Sequence, residues 1–164
     1  MARTPITGDR GLRAPGFLVA GLVSAFLSGQ AAAAIDLPKE PDALMDMIRG
    51  AIETKDYETF RELVYWEGAG EIKRRLVRFE LNRGLGRPIY SIALEDFPEN
   101  GLAGVEATGS LAANMQFTYR VRVVYDEPVL EKTGKRPAAV YLIGKVDETY
   151  RIGLVNRKRV DDDD

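Results

Sequence analysis

The clearest pattern of apolar and polar positions lies near the end of the chain, in the stretch AAVYLIGKVDETYRIGLV at residues 138–155. Its first half is rich in apolar residues, and its second half places Tyr150, Ile152 and Leu154 at alternate positions. A β-strand turns successive side chains to opposite faces, so the two halves predict two strands joined by a turn at the polar residues 147–148. An isolated hairpin is only marginally stable in water. We therefore expect the preceding chain to supply further strands and a covering helix.

Two earlier stretches continue this sheet. Residues 112–125 contain the most regular alternation in the chain, and residues 89–95 (IYSIALE) form another strand-like run. The apolar face of the first comprises Phe117, Tyr119, Val121, Val123 and Tyr125, opposite Thr118, Arg120 and Arg122. Tyr90, Ile92 and Leu94 share one face of the second. Because one face is polar, the pattern predicts an antiparallel sheet with one dry and one wet side.

Before the strands, apolar residues recur at helical spacing. Leu44, Ile48, Ala51 and Ile52 form one stripe at three- and four-residue intervals, and Asp42 is placed to cap their helix. A second helix follows a short corner. Its predicted cap is Asp56, and its stripe comprises Tyr57, Phe60, Leu63 and Val64.

The third predicted helix, residues 71–85, carries apolar residues on two nearly opposite faces. These faces are Ile72, Leu76 and Phe79 on one side, and Val77, Leu81 and Leu85 on the other. We expect the sheet and the first two helices to cover both faces. Helices grouped before strands predict an α+β fold, in which the commonest place for a ligand is between the layers.

The N-terminal region has the three parts of a secretory signal. Arg3, Arg10 and Arg13 precede an uncharged apolar run from Phe17 to Leu27, and small residues at 32–34 suit signal peptidase. The alternative is an uncleaved anchor, because residues 14–34 are an uncharged run of 21 residues, just long enough to span a bilayer. We expect cleavage, and a periplasmic or secreted bacterial protein.

These patterns divide the chain into a signal peptide (1–34), a linker (35–41), one α+β domain (42–156) and a charged flexible tail (157–164). The whole chain has 164 residues, of which 45% are hydrophobic and 29% charged, as expected for one globular domain.

Composition removes several kinds of chemistry. The chain has no cysteine, which excludes disulfides and thiolate catalysis, and no histidine, which excludes Ser-His-Asp catalysis and imidazole zinc sites. Residues 35–164 contain 20 basic and 24 acidic side chains, and this balance argues against nucleic acid as a partner. No cofactor and no metal is predicted.

Two runs of residues resemble the nuclear transport factor 2-like superfamily. They are Ala51-Ile52, Lys55-Asp56, Phe60 and Leu63-Val64 near its opening helices, and Tyr141 to Asp147 with Tyr150-Arg151-Ile152 near its final hairpin. Exported bacterial members often have a glycine in that final turn, where this chain has Glu148-Thr149. The resemblance implies N-terminal helices packed on a curved antiparallel sheet, a cone or cystatin-like roll, which in many relatives also forms a homodimer.

That superfamily contains enzymes and non-catalytic binding or oligomerising domains, so the resemblance does not fix a function. Ketosteroid isomerases pair a carboxylate base with tyrosine and protonated aspartate donors, and no local motif here matches theirs. Dehydratase and cyclase members usually rely on a histidine, which this chain lacks.

Five aromatic residues are the predicted ligand contacts, because such rings offer an apolar surface with a polar tip. They are Tyr65, Trp66, Tyr90, Tyr119 and Tyr141. The alternative is that they are core residues whose hydroxyls bond to the backbone. Trp66 stands at a helix end beside glycines, where its ring either caps a pocket mouth or plugs the core.

Charged residues supply two further candidates. Asp96 and Asp126 stand at strand ends and are candidate general bases if burial raises the pKa of either carboxyl; the alternative is a solvated turn. Lys73, Arg74, Arg75 and Arg78 are candidates for an anionic ligand or a lipid surface. Nearby glutamates dilute this patch, so the alternative is a solvated helix face.

The sequence therefore predicts an exported small-ligand-binding or scaffolding domain, with a small apolar or amphipathic molecule and a second copy as the expected partners. A membrane is a partner only if the leader stays uncleaved. The alternatives are an enzyme of ketosteroid-isomerase-like chemistry and a purely structural envelope protein. A buried carboxylate beside a tyrosine hydroxyl would favour the enzyme, an open aromatic cone without an acid would favour ligand binding, and a filled interior would favour the structural role.

The predicted cleavage site gives a direct test. Intact-mass spectrometry of the exported protein should show Ile35 as its first residue, because signal peptidase cuts after small residues. Recovery of the protein from membranes with residues 1–34 attached would contradict this prediction.

Overall fold

The computed structural model of the protein describes residues 35–107 and 109–157. The predicted signal peptide, and residues 158–164 of the predicted tail, lie outside the described residues. The helices are α1 (Pro41–Thr54), α2 (Tyr57–Glu62), α3 (Glu71–Gly84) and the short α4 (Ala103–Glu106). The strands are β1 (Ile89–Asp96), β2 (Leu111–Ala113), β3 (Phe117–Tyr125), β4 (Ala138–Val146), β5 (Thr149–Gly153) and β6 (Val155–Arg157).

The predicted α+β fold is confirmed. Four strands form an antiparallel sheet in the order β1-β3-β4-β5, and β2 pairs with β6 in a small second sheet. The three longer helices all precede this sheet and pack with it. The chain just after α2 adds to the sheet edge, because Ile152 N–H donates to the Leu63 carbonyl and Tyr65 N–H donates to the Ile152 carbonyl, each at 2.8 Å.

The ends of the first two helices follow simple chemistry. Helix α1 begins at Pro41, and its N-cap is Glu40, two residues before the predicted cap Asp42. Proline suits the first turn because the N–H it lacks would have no partner there. The predicted cap of α2 is confirmed: Asp56 accepts from the Thr59 N–H at 3.0 Å, and this bond lowers the pKa of the Asp56 carboxyl.

The predicted linker is fixed to the domain. Pro38 is buried, and its carbonyl accepts a hydrogen bond of 2.7 Å from the Tyr150 N–H on β5. This bond continues the ladder outward from the hairpin, so residues near 38 belong to the domain rather than to a flexible connection.

The predicted C-terminal hairpin is confirmed as β4 and β5. Its turn holds Asp147 and Glu148 at φ values of 47° and 63°, the two positive angles of a tight type I′ turn. Gly144 and Gly153 leave space for Met115 and its neighbours, which cross the hairpin so closely that a Cβ at either glycine would collide with them. This crossing also splits the predicted strand 112–125 into β2 and β3.

Strand β3 has the predicted dry and wet faces. Phe117, Val121, Val123 and Tyr125 are buried, and Thr118 between them is exposed. Strand β1 departs from its predicted pattern, because the pairing register shifts between Ile89 and Ser91. Such a bulge re-aims side chains.

The prediction that α3 is covered on both sides is wrong. Its inner face packs inward through Leu81 and Gly84, but Ile72, Leu76 and Phe79 on the outer face are 78%, 54% and 58% exposed. The sheet and α2 reach only one side of this helix. Its outer apolar stripe therefore faces outward from the described part of the chain.

The space between helices and sheet is filled with apolar side chains. From the helical layer, Leu44, Ile48, Ile52, Phe60, Leu63 and Val64 are fully buried. From the sheet, Val121, Val123 and Ile143 are equally buried and belong to the same cluster. Close packing of this kind leaves little room for a ligand between the layers.

Candidate functional site

The five aromatic residues predicted as ligand contacts have different neighbours in the structure. Tyr65 and Trp66 follow α2, Tyr90 lies on the bulge of β1, Tyr119 lies on β3 and Tyr141 on β4. Tyr119 is half-buried, and its ring centroid lies 6.1 Å from that of Tyr150. Each of the five residues therefore has its own surroundings.

Trp66 fastens the segment between α2 and α3. Its indole Nε1–H donates to the Arg61 carbonyl at 3.0 Å, and the half-buried ring packs against the core. The guanidinium of Arg74 lies 5.7 Å from the ring centroid and donates through Nε to the Ala69 carbonyl at 2.9 Å. These contacts favour the interpretation of Trp66 as a plug over that of a pocket cap.

Tyr65 forms the only tyrosine–carboxylate hydrogen bond found within the described residues, donating its hydroxyl to Glu67. This bond raises the pKa of the Tyr65 hydroxyl. Glu67 is exposed, and neither residue lines either of the two grooves described below. The pair thus has the two groups that a ketosteroid-isomerase-like site needs, but it does not lie in an enclosed cavity.

Tyr141 is half-buried and pairs with the buried Tyr125. The two hydroxyls hydrogen-bond to each other, and burial, followed by the neighbouring Tyr125, raises the pKa of Tyr141. Gly84 of α3 lies directly over them: a Cβ there would stand 3.0 Å from the Tyr125 hydroxyl oxygen. Phe60 packs against the Tyr141 ring edge-on, with centroids 5.3 Å apart. Both tyrosines therefore join α3 to the sheet.

Tyr90 is 63% exposed, so the prediction that it lines the space between helices and sheet is wrong. It is the bulged residue of β1, and the bulge turns its side chain outward. The guanidinium of Arg136 lies 4.5 Å from its ring centroid.

The two candidate general bases both lie at the surface. Asp96 is exposed at the last position of β1, and Asp126 is exposed and paired with Arg136, whose Nη1 donates to it at 2.8 Å. Neither carboxyl is therefore enclosed as a general base in a cavity would be.

A groove of about 470 Å³ lies beside the C-terminal half of α3. Its lining includes Glu80, Arg83, Arg87, Glu127 and Leu130. Arg87 donates to both carboxylate oxygens of Glu127, at 2.6 and 2.8 Å, and this pairing lowers the pKa of Glu127. No sequence pattern indicates this pair, because its partners are 40 residues apart.

The same Arg87 guanidinium lies 3.6 Å from the centroid of the Tyr125 ring. A stacked arginine with a bidentate carboxylate partner is held in one geometry. The groove thus presents charges that are already paired with each other, an arrangement better suited to structure than to binding a strongly charged ligand.

A second groove, of about 530 Å³, lies between the loop after β1 and the segment before β3. Its apolar lining comprises Phe97, Pro98, Leu102, Met115 and Phe117, and Glu99 is its only ionisable residue. The Phe97 and Phe117 rings meet edge-on at 5.5 Å. This groove suits a small apolar molecule, but it lies outside the predicted place between helices and sheet.

On the wet side of the sheet, Arg120 and Arg122 pair with an acidic neighbour. Glu95 of β1 accepts from Arg120 at 2.6 Å and from Arg122 at 2.8 Å. These bonds, that from Arg122 most strongly, lower the pKa of the Glu95 carboxyl.

Arg151 is a polar residue that its strand pattern did not single out. It crosses to the α2 end and donates through Nη2 to the carbonyls of Glu62 and Val64, at 2.8 and 3.1 Å. Burial lowers the pKa of Arg151. Its role is to hold the segment after α2 on the sheet edge.

Within residues 35–107 and 109–157, no group of acidic side chains is arranged so that it could hold a metal ion. The helices described there are also too short or too polar to cross a membrane. Comparison with known proteins found no matching family model, curated protein or solved structure. The arguments for function therefore rest on the surfaces of this chain alone.

The tyrosine pair predicts a difference between two conservative variants. Tyr141→Phe should lower the free energy of unfolding by about 1 kcal/mol, because it leaves the buried Tyr125 hydroxyl without its partner. Tyr90→Phe should change it by less than about 0.5 kcal/mol, because Tyr90 is exposed. Urea denaturation measures both. Equal effects would show that the hydrogen bond between the two hydroxyls does not stabilise the fold.

Proposed function

We propose that this protein is an exported structural domain that acts as a scaffold through its outer surface and is related to the nuclear transport factor 2-like superfamily. The observation that carries the proposal is the filled space between helices and sheet. Nine fully buried apolar side chains occupy it, among them Leu44, Phe60 and Val121. A closed interior supports a surface role because a ligand placed there would have to displace close-packed side chains.

The enzymatic alternative receives less support. A ketosteroid-isomerase-like site needs a carboxylate and a tyrosine hydroxyl in an enclosed, water-poor cavity. Tyr65 and Glu67 make the required bond at the surface, whereas the buried Tyr125 and its partner Tyr141 have no carboxylate bonded to them among the described residues. The two requirements are met in different places.

Ligand binding remains a second candidate because of one observation, the apolar groove beside Phe97 and Met115. Its volume of about 530 Å³ would hold a small molecule. An occupant there would touch loops and the edge of β3 rather than the buried core.

Thermal denaturation with small apolar probes, such as benzene and indole, tests the closed interior. If the protein works as a scaffold, the wild-type melting temperature should not rise with probe concentration, because the space between helices and sheet is filled. Leu44→Ala should lose about 2–5 kcal/mol of stability and regain part of it with probe, because the substitution creates a cavity in the same place.

A wild-type rise would contradict the surface role. If Met115→Ala removed that rise, the binding site would be the loop groove, and ligand binding would replace scaffolding. If Leu44→Ala showed no probe response, the packing assigned to the interior would itself be wrong.

A further inference from the structure

We propose that the outer face of α3 docks on a membrane surface of anionic phospholipid. The proposal rests on the scaffolding role and names its partner. It develops one of the alternatives drawn from the sequence, in which the basic residues of the third helix meet a lipid surface, and it does not require an uncleaved leader. Here the contact is made by the folded domain itself.

The first support is the outer stripe of α3, formed by Ile72, Leu76 and Phe79. Their exposures of 78%, 54% and 58% place them among the most exposed large apolar side chains of the described residues. Their spacing of four and three residues aligns them along roughly 10 Å of helix. An apolar stripe of this shape fits the boundary between lipid headgroups and acyl chains.

The second support is the charge beside the stripe. Residues 71–84 contain five basic and two acidic side chains, a net charge of +3, whereas the rest of residues 35–157 contains thirteen basic and eighteen acidic ones, a net charge of −5. Positive charge is therefore concentrated on the one helix whose outer face is apolar. Anionic headgroups attract such a surface and repel the remainder of the domain.

The positions of the basic residues agree with this contact. At a helical spacing of 100° per residue, Arg75 borders the stripe on one side, with Glu71 and then Arg78 further round the helix. Glu80 and Lys73 lie on the other side. Arg75 and Arg78 are exposed, and no acidic side chain within the described residues forms an ion pair with either of them or with Lys73. Arg83 lies over the Phe79 ring, 5.7 Å from its centroid, so its long side chain extends the apolar surface.

Arg74 differs from the other basic residues near the start of α3, because its side chain bonds within the domain. Its guanidinium is turned toward the segment after α2, where it bonds to the Ala69 and Trp66 carbonyls at 2.9 and 3.3 Å. Among the described residues, it is the one basic residue at the N-terminal end of α3 whose side chain stabilises the fold by hydrogen bonds. The side chains of the neighbouring Lys73, Arg75 and Arg78 form no such bond within the described residues.

A second copy of the chain is a poorer occupant of this face. Two-fold docking of α3 on itself would bring one helix of charge +3 against another, and like charges across an interface cost binding energy. A membrane meets both the apolar and the electrostatic requirement at once. The apolar run at residues 14–34 is predicted to bring the chain to a membrane during export, so such a surface is near when the domain folds.

Co-sedimentation of the exported protein with vesicles tests the proposal. One set contains phosphatidylglycerol mixed with phosphatidylcholine, and the other contains phosphatidylcholine alone. The readout is the difference in binding between the two sets, measured on protein whose intact mass shows that residues 1–34 are gone, because Arg3, Arg10 and Arg13 of a retained leader would also favour anionic lipid. We expect preferential binding to the anionic vesicles, weakened by salt.

Two variants and a matched control distinguish the contribution of the apolar stripe from that of the arginines. Leu76→Ser with Phe79→Ser should weaken binding to anionic vesicles at least about tenfold. Arg75→Gln with Arg78→Gln should weaken it about 25-fold at low salt, at roughly fivefold per arginine. Tyr90→Ser should bind like the wild type, although Tyr90 is an equally exposed aromatic residue beside an arginine.

Several results would overturn the proposal. They are equal binding to the two vesicle sets, an effect of Tyr90→Ser as large as that of the α3 variant, and a dimer on gel filtration that the α3 variant abolishes. A stable complex with an acidic protein through α3 would likewise replace the lipid. If vesicle binding fails while apolar probes leave the wild-type melting temperature unchanged, only the partner is wrong and the scaffolding role stands.

Discussion

The packing of the helical layer against β3 and β4 is the constraint on which the rest of this structure depends. Without cysteine, the domain has no disulfide to support it, so buried apolar area must offset the cost of ordering the chain. Leu44, Phe60 and Val121 are fully buried in one continuous cluster. The same packing that stabilises the fold closes the place where a ligand was expected, and it moves the search for function to the surface.

Helix α3 shows how this constraint produces a surface feature. Its inner face is fixed over the Tyr125–Tyr141 pair by Gly84, where a side chain would press on the hydroxyls. The guanidinium of Arg87, just beyond the helix, stacks on Tyr125. With its inner face held in this way, the outer stripe of α3 cannot turn toward the core. The apolar and basic residues on that face are therefore available to a partner.

Periodicity predicted the parts of the fold that depend on near neighbours in the sequence. The alternation around Val121 and Val123 gave β3, the turn at residues 147–148 gave the final hairpin, and the spacing from Leu44 to Ile52 gave α1. Features that depend on distant partners were not predictable. The bulge at Tyr90 can be predicted only if the pairing of β1 with β3 is known. The pattern of α3 shows two apolar faces, but it does not indicate which face packs against the rest of the domain.

Amide hydrogen exchange of the full exported protein, with and without anionic vesicles, tests the central claim most directly. The claim is that the interior is closed and that the outer face of α3 carries the function. The account predicts that vesicles slow exchange at residues 71–84, while the amides of β3, β4 and α1 exchange equally slowly in both conditions. Faster exchange in those strands on vesicle binding, or unchanged exchange across α3, would contradict it.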